Sequence, residues 1–227
     1  MTGTIGDIIW IGLGIALNPI AIVISILVAN RDNPRRNGLA LVLGWILGLF
    51  VVVALPGLLL HDRFGASSAV HDTQVARFSL FRAALGVLLL LTAAAAFVRG
   101  PLPGDQPANP RWARILDRGG VGHLFGMGAF LSIVNIRNLV LLAAAASVIG
   151  QAPLDTFGAL LLVGLVVSIA TLGVLVPLLI HLFGGGSSKA PLTAWADWLT
   201  RHMGMITGVI MALFGALLLT QGIQGAL

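Results

Sequence analysis

Six long apolar runs, separated by polar segments, form the pattern of hydrophobic and polar positions along this chain. A bilayer core about 30 Å thick requires about 20 predominantly apolar residues per helix, and each run is long enough to meet that requirement. We therefore predict an all-α membrane protein with six transmembrane helices. The runs cover residues 5–29, 37–60, 78–98, 121–149, 156–183 and 203–221.

Three landmarks recur in both halves of the chain at nearly constant offsets of 117, 121 and 122 residues, which indicates an internal duplication. An odd number of helices in each half places the second half upside down, as in many secondary transporters. We therefore expect two inverted three-helix repeats, residues 1–99 and 121–227, joined by a cytoplasmic linker, residues 100–120. The matched pairs are Asn18 with Asn135, Pro56 with Pro177, and Gly86 with Gly208.

The composition of the chain excludes a water-soluble protein. Of the 227 residues, 58% are hydrophobic and 9% are charged, whereas soluble domains average about 25% charged residues. The absence of cysteine excludes disulfide bonds and thiolate metal sites. The net charge of +5 comes from basic residues that lie mainly in loops, where contact with anionic lipid head groups accounts for it. We expect membrane lipids as partners and, because aromatic and basic residues are not interleaved, no nucleic acid.

Lysine and arginine are distributed unequally between the two predicted sides of the membrane. Nine of the 13 follow the first, third and fifth runs, three lie on the opposite side, and Arg137 lies inside a run. Cytoplasmic loops of membrane proteins have an excess of these residues. The bias therefore predicts a multi-pass protein of the cytoplasmic membrane, with both termini on the outer side.

Asn18 and Pro19 lie in the middle of the first run. A proline inside a helix removes a backbone hydrogen bond and clashes with the preceding turn, whereas asparagine followed by proline is a favourable start for a new helix. One interpretation is a simple proline kink of the kind common in membrane helices. The other is a functional break, in which free N–H groups and the positive end of a new half-helix point at the membrane midplane.

Asn135, Arg137 and Asn138 lie at the equivalent depth of the fourth run. A charge at the centre of a membrane helix costs roughly 2.5–3.5 kcal/mol on insertion scales, so such residues usually face the bundle interior or a water-filled cavity. With a rise of about 1.5 Å per residue, Arg137 is far from both ends of its run. We favour a functional role over a structural ion pair, because no acidic residue lies in the middle of a run.

Together these residues predict an anion site near the midplane, where two half-helix N-termini meet and Arg137 adds a full positive charge. Arginine is suited to bidentate contact with carboxylate or phosphate. No catalytic motif, metal-ligand spacing or nucleotide-binding loop is visible, so we expect neither an enzyme nor a cofactor or metal. The predicted substrate-binding residues are Asn18, Pro19, Asn135, Arg137 and Asn138.

Small residues recur at every fourth position of the sixth run, a spacing that permits close packing of helices. This face has two alternative partners, a helix of the same chain or a second copy of the chain. A homodimer is therefore one of the two interpretations. The residues are Gly204, Gly208, Ala212 and Ala216.

The first half contains a series of short motifs: Gly12-x-Gly14-x-x-Leu17-Asn18-Pro19, Asn30-Arg31, the basic turn Pro34-Arg35-Arg36, and Gly44-Trp45. Together with Asn135-Ile136-Arg137-Asn138, this series resembles the lysine exporter (LysE) superfamily. The chain is most similar to its peptidoglycolipid- and sulfolipid-addressing (GAP/Sap) proteins of actinobacteria. Many members have Asn-Pro at both repeat positions, whereas here Ile136 replaces the second proline. The resemblance implies a secondary exporter, often oligomeric, associated with efflux of amino acids or ions or with delivery of cell-envelope lipids.

The resulting hypothesis is a secondary transporter that exports an anionic cell-envelope lipid or lipid precursor through the midplane anion site. One alternative is an exporter of a small soluble solute such as an amino acid. Another is a non-transporting accessory subunit of a lipid-export complex. An intramembrane lipid enzyme would form product without translocation, so assays of purified protein in liposomes separate these classes.

Overall fold

The computed structural model describes the backbone of residues 2–64, 71–99 and 120–224, and the side chains of residues 3–61, 79–98 and 120–224. Within these residues the chain is all-helical, with nine α-helices, one 3-10 turn and no strand. The predicted linker, residues 100–120, lies outside the described residues apart from Gly120. The helices are α1 Thr2–Ala16, α2 Pro19–Ala29, α3 Pro34–Phe64, α4 His71–Arg99, α5 Val121–Ile133, α6 Ile136–Gly150, α7 Thr156–Gly184, α8 Lys189–Arg201 and α9 Met203–Gln224.

Four described stretches are long and apolar enough to cross a membrane. Two further pairs, α1 with α2 and α5 with α6, meet the same criterion together and are bent by 56° and 69° at a short break. With each bent pair counted as one span, the described residues provide up to six crossings, and the predicted breaks in the first and fourth spans are present. The four stretches are Pro34–His61, Ser79–Val98, Thr156–Arg201 and Met203–Gln224.

Helix α8 is an element that hydropathy alone did not reveal. After α7, the 3-10 turn Gly185–Ser188 leads directly into this helix. Its apolar face, formed by Leu192, Ala196 and Leu199, is buried, and α8 packs against α2. Trp198, on the other side, is 49% exposed. A helix with one apolar face and an exposed tryptophan is typical of the membrane interface.

Helices of each half of the chain pack against helices of the other half, and we call these exchanged contacts. Helix α3 lies against α5, α6 and α7, and α1 lies against α7. At two crossings the backbones are in direct contact, because a Cβ atom on Gly44 would collide with the carbonyl of Phe125, and one on Gly173 with the carbonyl of Ala16. Small residues permit such close approach of membrane helices. The Gly173 crossing lies at the end of α1, next to the first break, whereas the Gly44 crossing lies nearer the start of α5.

Helix α9 packs along α4 through glycines spaced seven residues apart, not four as the sequence predicted. A Cβ on Gly215 would lie 3.0 Å from the carbonyl oxygen of Gly86, and one on Gly222 would lie 2.5 Å from the backbone nitrogen of Ala83. Of the predicted ladder only Gly208 is buried, and Ala216 is exposed. A spacing of seven keeps residues on one helix face over two turns. The close contact is therefore within the chain, and the homodimer stays a prediction.

Candidate anion site at two helix breaks

The first break is formed by Asn18 and Pro19. Asn18 has an extended backbone, with φ −79° and ψ 105°, and its Oδ1 accepts hydrogen bonds from the backbone N–H groups of Ile20 at 3.2 Å and Ala21 at 3.4 Å. Pro19 occupies the first helical position, where an N–H group would have no partner within the helix. Helix α2 is therefore a newly capped helix rather than a kinked continuation of α1.

The second break forms without a proline. Asn135 also has an extended backbone, with φ −82° and ψ 116°, and its Oδ1 accepts a hydrogen bond from the backbone N–H of Arg137 at 3.0 Å. The bend here, 69°, exceeds the 56° of the first break. The asparagine cap is common to both sites, so Ile136 in place of proline does not prevent the break.

We expect the Ile136→Pro variant to be as stable as the wild-type protein, because position 136 is the first residue of α6 and Asn135 already has the extended backbone that precedes proline. Leu139→Pro is the matched control, since the Leu139 N–H donates to the carbonyl of Asn135 at 2.9 Å. A proline there costs about 3 kcal/mol. Thermal unfolding in detergent measures both variants, and equal instability of the two would contradict the assigned helix start.

The two helix starts lie side by side. Asn18 Nδ2 donates to Asn138 Oδ1 at 3.5 Å, which links the first turn of α2 to the first turn of α6. Asn18 and Arg137 are each 2% exposed, and Asn138 is fully buried. Pro19 is buried as well, whereas Asn135 is partly exposed. The structure therefore brings the five predicted residues to one place, and their binding of a substrate stays a prediction.

Each break is fixed by a glycine on a long helix of the other half. A Cβ on Gly48 of α3 would collide with Ser132, near the end of α5, just as one on Gly173 of α7 would collide with Ala16, the last residue of α1. Ser132 is fully buried, and its Oγ donates to the carbonyl of Ala129 at 2.8 Å. The contact at Gly173 is with the backbone of Ala16, whereas Gly48 meets the side-chain oxygen of Ser132 first and backbone atoms of Ala129 next. Backbone atoms therefore take part in the close contact at both helix ends.

Asn138 Nδ2 and Trp45 Nε1 are buried donors for which no acceptor is found among the described residues. Buried polar groups in proteins are almost always hydrogen-bonded. Asn138 belongs to the predicted site, and its amide can donate to a bound group. Trp45 lies on α3, which packs against α6. In the sequence Trp45 is only part of the Gly44-Trp45 motif, because a tryptophan in an apolar run does not reveal that its N–H group is enclosed.

The arrangement combines several sources of positive potential in a place closed to water. A helix N-terminus is equivalent to roughly half a positive charge, and backbone N–H groups at such ends bind anions. Arg137 adds a full charge, and electrostatic interactions are stronger away from water. These features are the ones on which the predicted anion site depends, and binding of an anion there stays a prediction. Among the described side chains, those of residues 3–61, 79–98 and 120–224, no group of three His, Asp or Glu could hold a metal ion.

A protein-family model described as "Sap, sulfolipid-1-addressing protein" matches residues 8–224, a range that includes both breaks and all five predicted site residues. The chain belongs to this family. The resemblance to sulfolipid-addressing proteins noted in the sequence is confirmed, whereas the wider relationship to the lysine exporter superfamily stays a prediction. No curated protein and no solved structure matches this Sap-family chain.

A second polar cluster of the Sap-family protein joins four helices away from the breaks. Gln221 Nε2 of α9 donates to Asp7 Oδ1 of α1 at 2.7 Å, and Arg82 Nε of α4 donates to Ser147 Oγ of α6 at 3.3 Å. The charges of Asp7 and Arg82 attract each other. The sequence placed Asp7 near the end of a span but did not connect these residues, because Asp7 and Gln221 are 214 positions apart.

We expect the Asp7→Ala and Gln221→Ala variants each to lose about 1 kcal/mol of stability, since both remove a hydrogen bond to a charged group that is only partly buried. The double variant should lose less than the sum, because the two side chains contact each other. Asp32→Ala, in an exposed turn, is the control and is expected to be neutral. Unfolding in detergent measures the stability of the wild-type protein, both single variants and the double variant. Strictly additive losses of stability would contradict the direct contact between Asp7 and Gln221.

Proposed function

We propose that this Sap-family protein is a secondary transporter of the cytoplasmic membrane that exports an anionic cell-envelope lipid or a precursor of one. The description of its family refers to sulfolipid-1, and sulfolipids have an anionic head group. The observation that carries the proposal is the burial of Arg137, which is 2% exposed, beside the adjoining N-termini of α2 and α6.

The chemistry of the breaks supports an anionic rather than a cationic substrate. A guanidinium group can donate two parallel hydrogen bonds to a carboxylate, sulfate or phosphate, and the amide of Asn138 can donate another. The helix N-termini add positive potential at the same place. We propose that the head-group anion contacts Asn18, Arg137 and Asn138, while Pro19 and Asn135 set the helix starts that position them.

The exchanged contacts support an inverted-repeat arrangement. The end of α1 packs against α7 at Gly173, and the end of α5 packs against α3 at Gly48, so each half contacts the other in the same way. In transporters built from inverted repeats, a site between the repeats is reached from one side of the membrane at a time. Because Asn18, Arg137 and Asn138 are at most 2% exposed, we propose that the site opens by movement of these helices.

The distribution of basic residues supports the orientation. Arg35 and Arg36 are exposed in the first turn of α3. Lys189 and Arg201 are exposed at the two ends of α8. An excess of lysine and arginine is typical of the cytoplasmic side. We propose that the α2–α3 turn and α8 lie at the cytoplasmic face and that both termini lie outside, so that a lipid moves from the inner to the outer leaflet.

Reconstitution of the full chain in liposomes tests the proposal. Transfer of a fluorescent phosphatidylglycerol between leaflets is followed by chemical quenching of the fluorophores in the outer leaflet. We expect the protein to accelerate this transfer and to leave the transfer of a matched phosphatidylcholine unaffected. Uptake of radiolabelled amino acids without lipid transfer would favour the small-solute exporter. Absence of any transport by the isolated protein would favour an accessory subunit, and chemical conversion of the lipid without transfer would favour an enzyme.

A further inference from the structure

An apolar cavity of about 250 Å³ lies where the first turns of α3 meet the last turns of α7. Leucines form most of its wall, among them Leu39 of α3 and Leu178 and Leu182 of α7. Leu39 is 60% exposed and Leu182 is 41% exposed, so the cavity opens sideways. It therefore opens on the surface that apolar, membrane-spanning helices present to lipid.

Two ionisable side chains line the same cavity. Arg35, in the first turn of α3, is exposed, whereas His181 of α7 is buried, and its Nδ1 lies 3.4 Å from Ser188 Oγ. Arg36 is also exposed but does not line the cavity. An otherwise apolar cavity thus has one exposed guanidinium group beside its leucines.

We propose that this cavity binds one acyl chain of an anionic membrane lipid, whose head group contacts the guanidinium of Arg35. A group the size of a water molecule occupies about 30 Å³, so the cavity holds roughly eight such groups. This volume accommodates part of one acyl chain rather than a whole lipid. The acyl chain lies against Leu39, Leu178 and Leu182. The long arginine side chain keeps its charged end at the interface while its stem covers apolar surface.

Charge complementarity selects an anionic lipid as the occupant. The segment before and within the first turn of α3 contains Arg31, Arg35 and Arg36 against a single acid, Asp32. Basic residues at a membrane surface attract anionic lipids. The proposal rests on the proposed function only for the orientation of the protein in the membrane, which places the cavity at the cytoplasmic leaflet. The binding itself requires no transport.

A second cavity provides an internal comparison. It has a volume of about 200 Å³ and lies between α1, the α6–α7 turn and the start of α7, with Ile5, Leu154 and Leu161 in its wall. No charged side chain lines it. It resembles the first cavity in size and apolar wall but lacks the cation, so we expect it to show no preference between anionic and neutral lipids.

Photolabelling tests the role of Arg35. The full chain is placed in phosphatidylcholine nanodiscs that contain a small fraction of phosphatidylglycerol with a photoreactive acyl chain, and the labelled residues are mapped by mass spectrometry. We expect labels on Leu39 and Leu178, and about fivefold less labelling there in the Arg35→Gln variant. Arg36→Gln removes the same charge from the neighbouring position and should reduce labelling much less. Equal reductions in the two variants, or equal labelling by a photoreactive phosphatidylcholine, would overturn the proposal.

Filling the cavity provides a second test that does not alter charge. Leu39→Trp places a large side chain in the opening, whereas Leu43→Trp changes a residue on the same helix that is 48% exposed and does not line the cavity. We expect loss of the label on Leu178 only in the Leu39→Trp variant. Displacement of the label by glycerol phosphate, which has no acyl chain, would indicate a soluble-anion site and refute the lipid. Specific labelling in a protein that transfers no lipid would support this site and contradict the proposed transport. Lipid transfer without labelling would support the transport and contradict this site.

Discussion

The Arg137→Gln variant is expected to transfer an anionic lipid between leaflets at least about tenfold more slowly than the wild-type protein. Hydrogen bonds to a charged group contribute about 1.5–3 kcal/mol, and 1.4 kcal/mol corresponds to a factor of ten. Glutamine preserves much of the side-chain length but removes the charge. Arg137→Lys is expected to be intermediate, because lysine keeps the charge and loses the planar fork that binds two oxygens at once. The measurement is the rate of fluorescent phosphatidylglycerol transfer in liposomes.

Two further variants separate loss of the site from loss of the fold. Asn138→Asp adds a negative charge to the fully buried position beside Arg137, and we expect it to block transfer by competing with the substrate anion. Ile136→Ala changes an exposed neighbour on the same turn and should leave the rate near that of the wild-type protein. A correctly folded Arg137→Gln variant that transfers the lipid at the wild-type rate would refute the anion site.

The Gly128→Ala variant is expected to be strongly destabilising, although the substitution adds only one methyl group. Its Cβ would collide with the carbonyl of Leu41 and would lie 2.8 Å from the backbone nitrogen of Trp45. Backbone atoms cannot rotate away as a side chain can, so α5 and α3 would have to separate. Overpacking of a core costs about 1–3 kcal/mol, and we expect the upper end of that range here, with a fall of several degrees in the unfolding temperature.

Gly126→Ala is the matched control on the same helix. A Cβ at Gly126 would meet no atom within 4 Å, and alanine favours a helix over glycine by about 1 kcal/mol. We therefore expect Gly126→Ala to be neutral or slightly stabilising. Thermal unfolding of both purified variants in detergent checks the pair. Similar unfolding temperatures for Gly126→Ala and Gly128→Ala would show that the contact between α3 and α5 is looser than the structure has it.

Local signals in the sequence predicted the helices and their breaks, because these features depend on residues close together in the chain. Long apolar runs specify membrane helices, and Asn18 and Asn135 cap the new helices through their own following turns. Helix α8 escaped the same reasoning. Its apolar residues Leu192, Ala196 and Leu199 form a stripe too short to stand out from the long runs on either side.

Contacts between distant residues could not be predicted from the sequence in the same way. The repeat offset matches Asn18 with Asn135, yet the side chain of Asn18 reaches Asn138, one turn further along α6. The face of α9 that packs on α4 uses Gly215 and Gly222 rather than the predicted spacing of four. Which face of a helix is used depends on its rotation and tilt, and these are set by neighbouring helices that composition does not identify.

The exchanged contacts at Gly44 and Gly173 have a consequence for biosynthesis. The ribosome completes α3 before α5, the helix that fits against its glycines, has been made. A nascent chain that ends before residue 120 therefore has inserted helices but no partner for the glycine-lined face of α3, and α1 similarly lacks α7. Contacts between residues so far apart in sequence form late in folding. The contacts at Gly44 and Gly173 can therefore form only after α5 and then α7 have been synthesised.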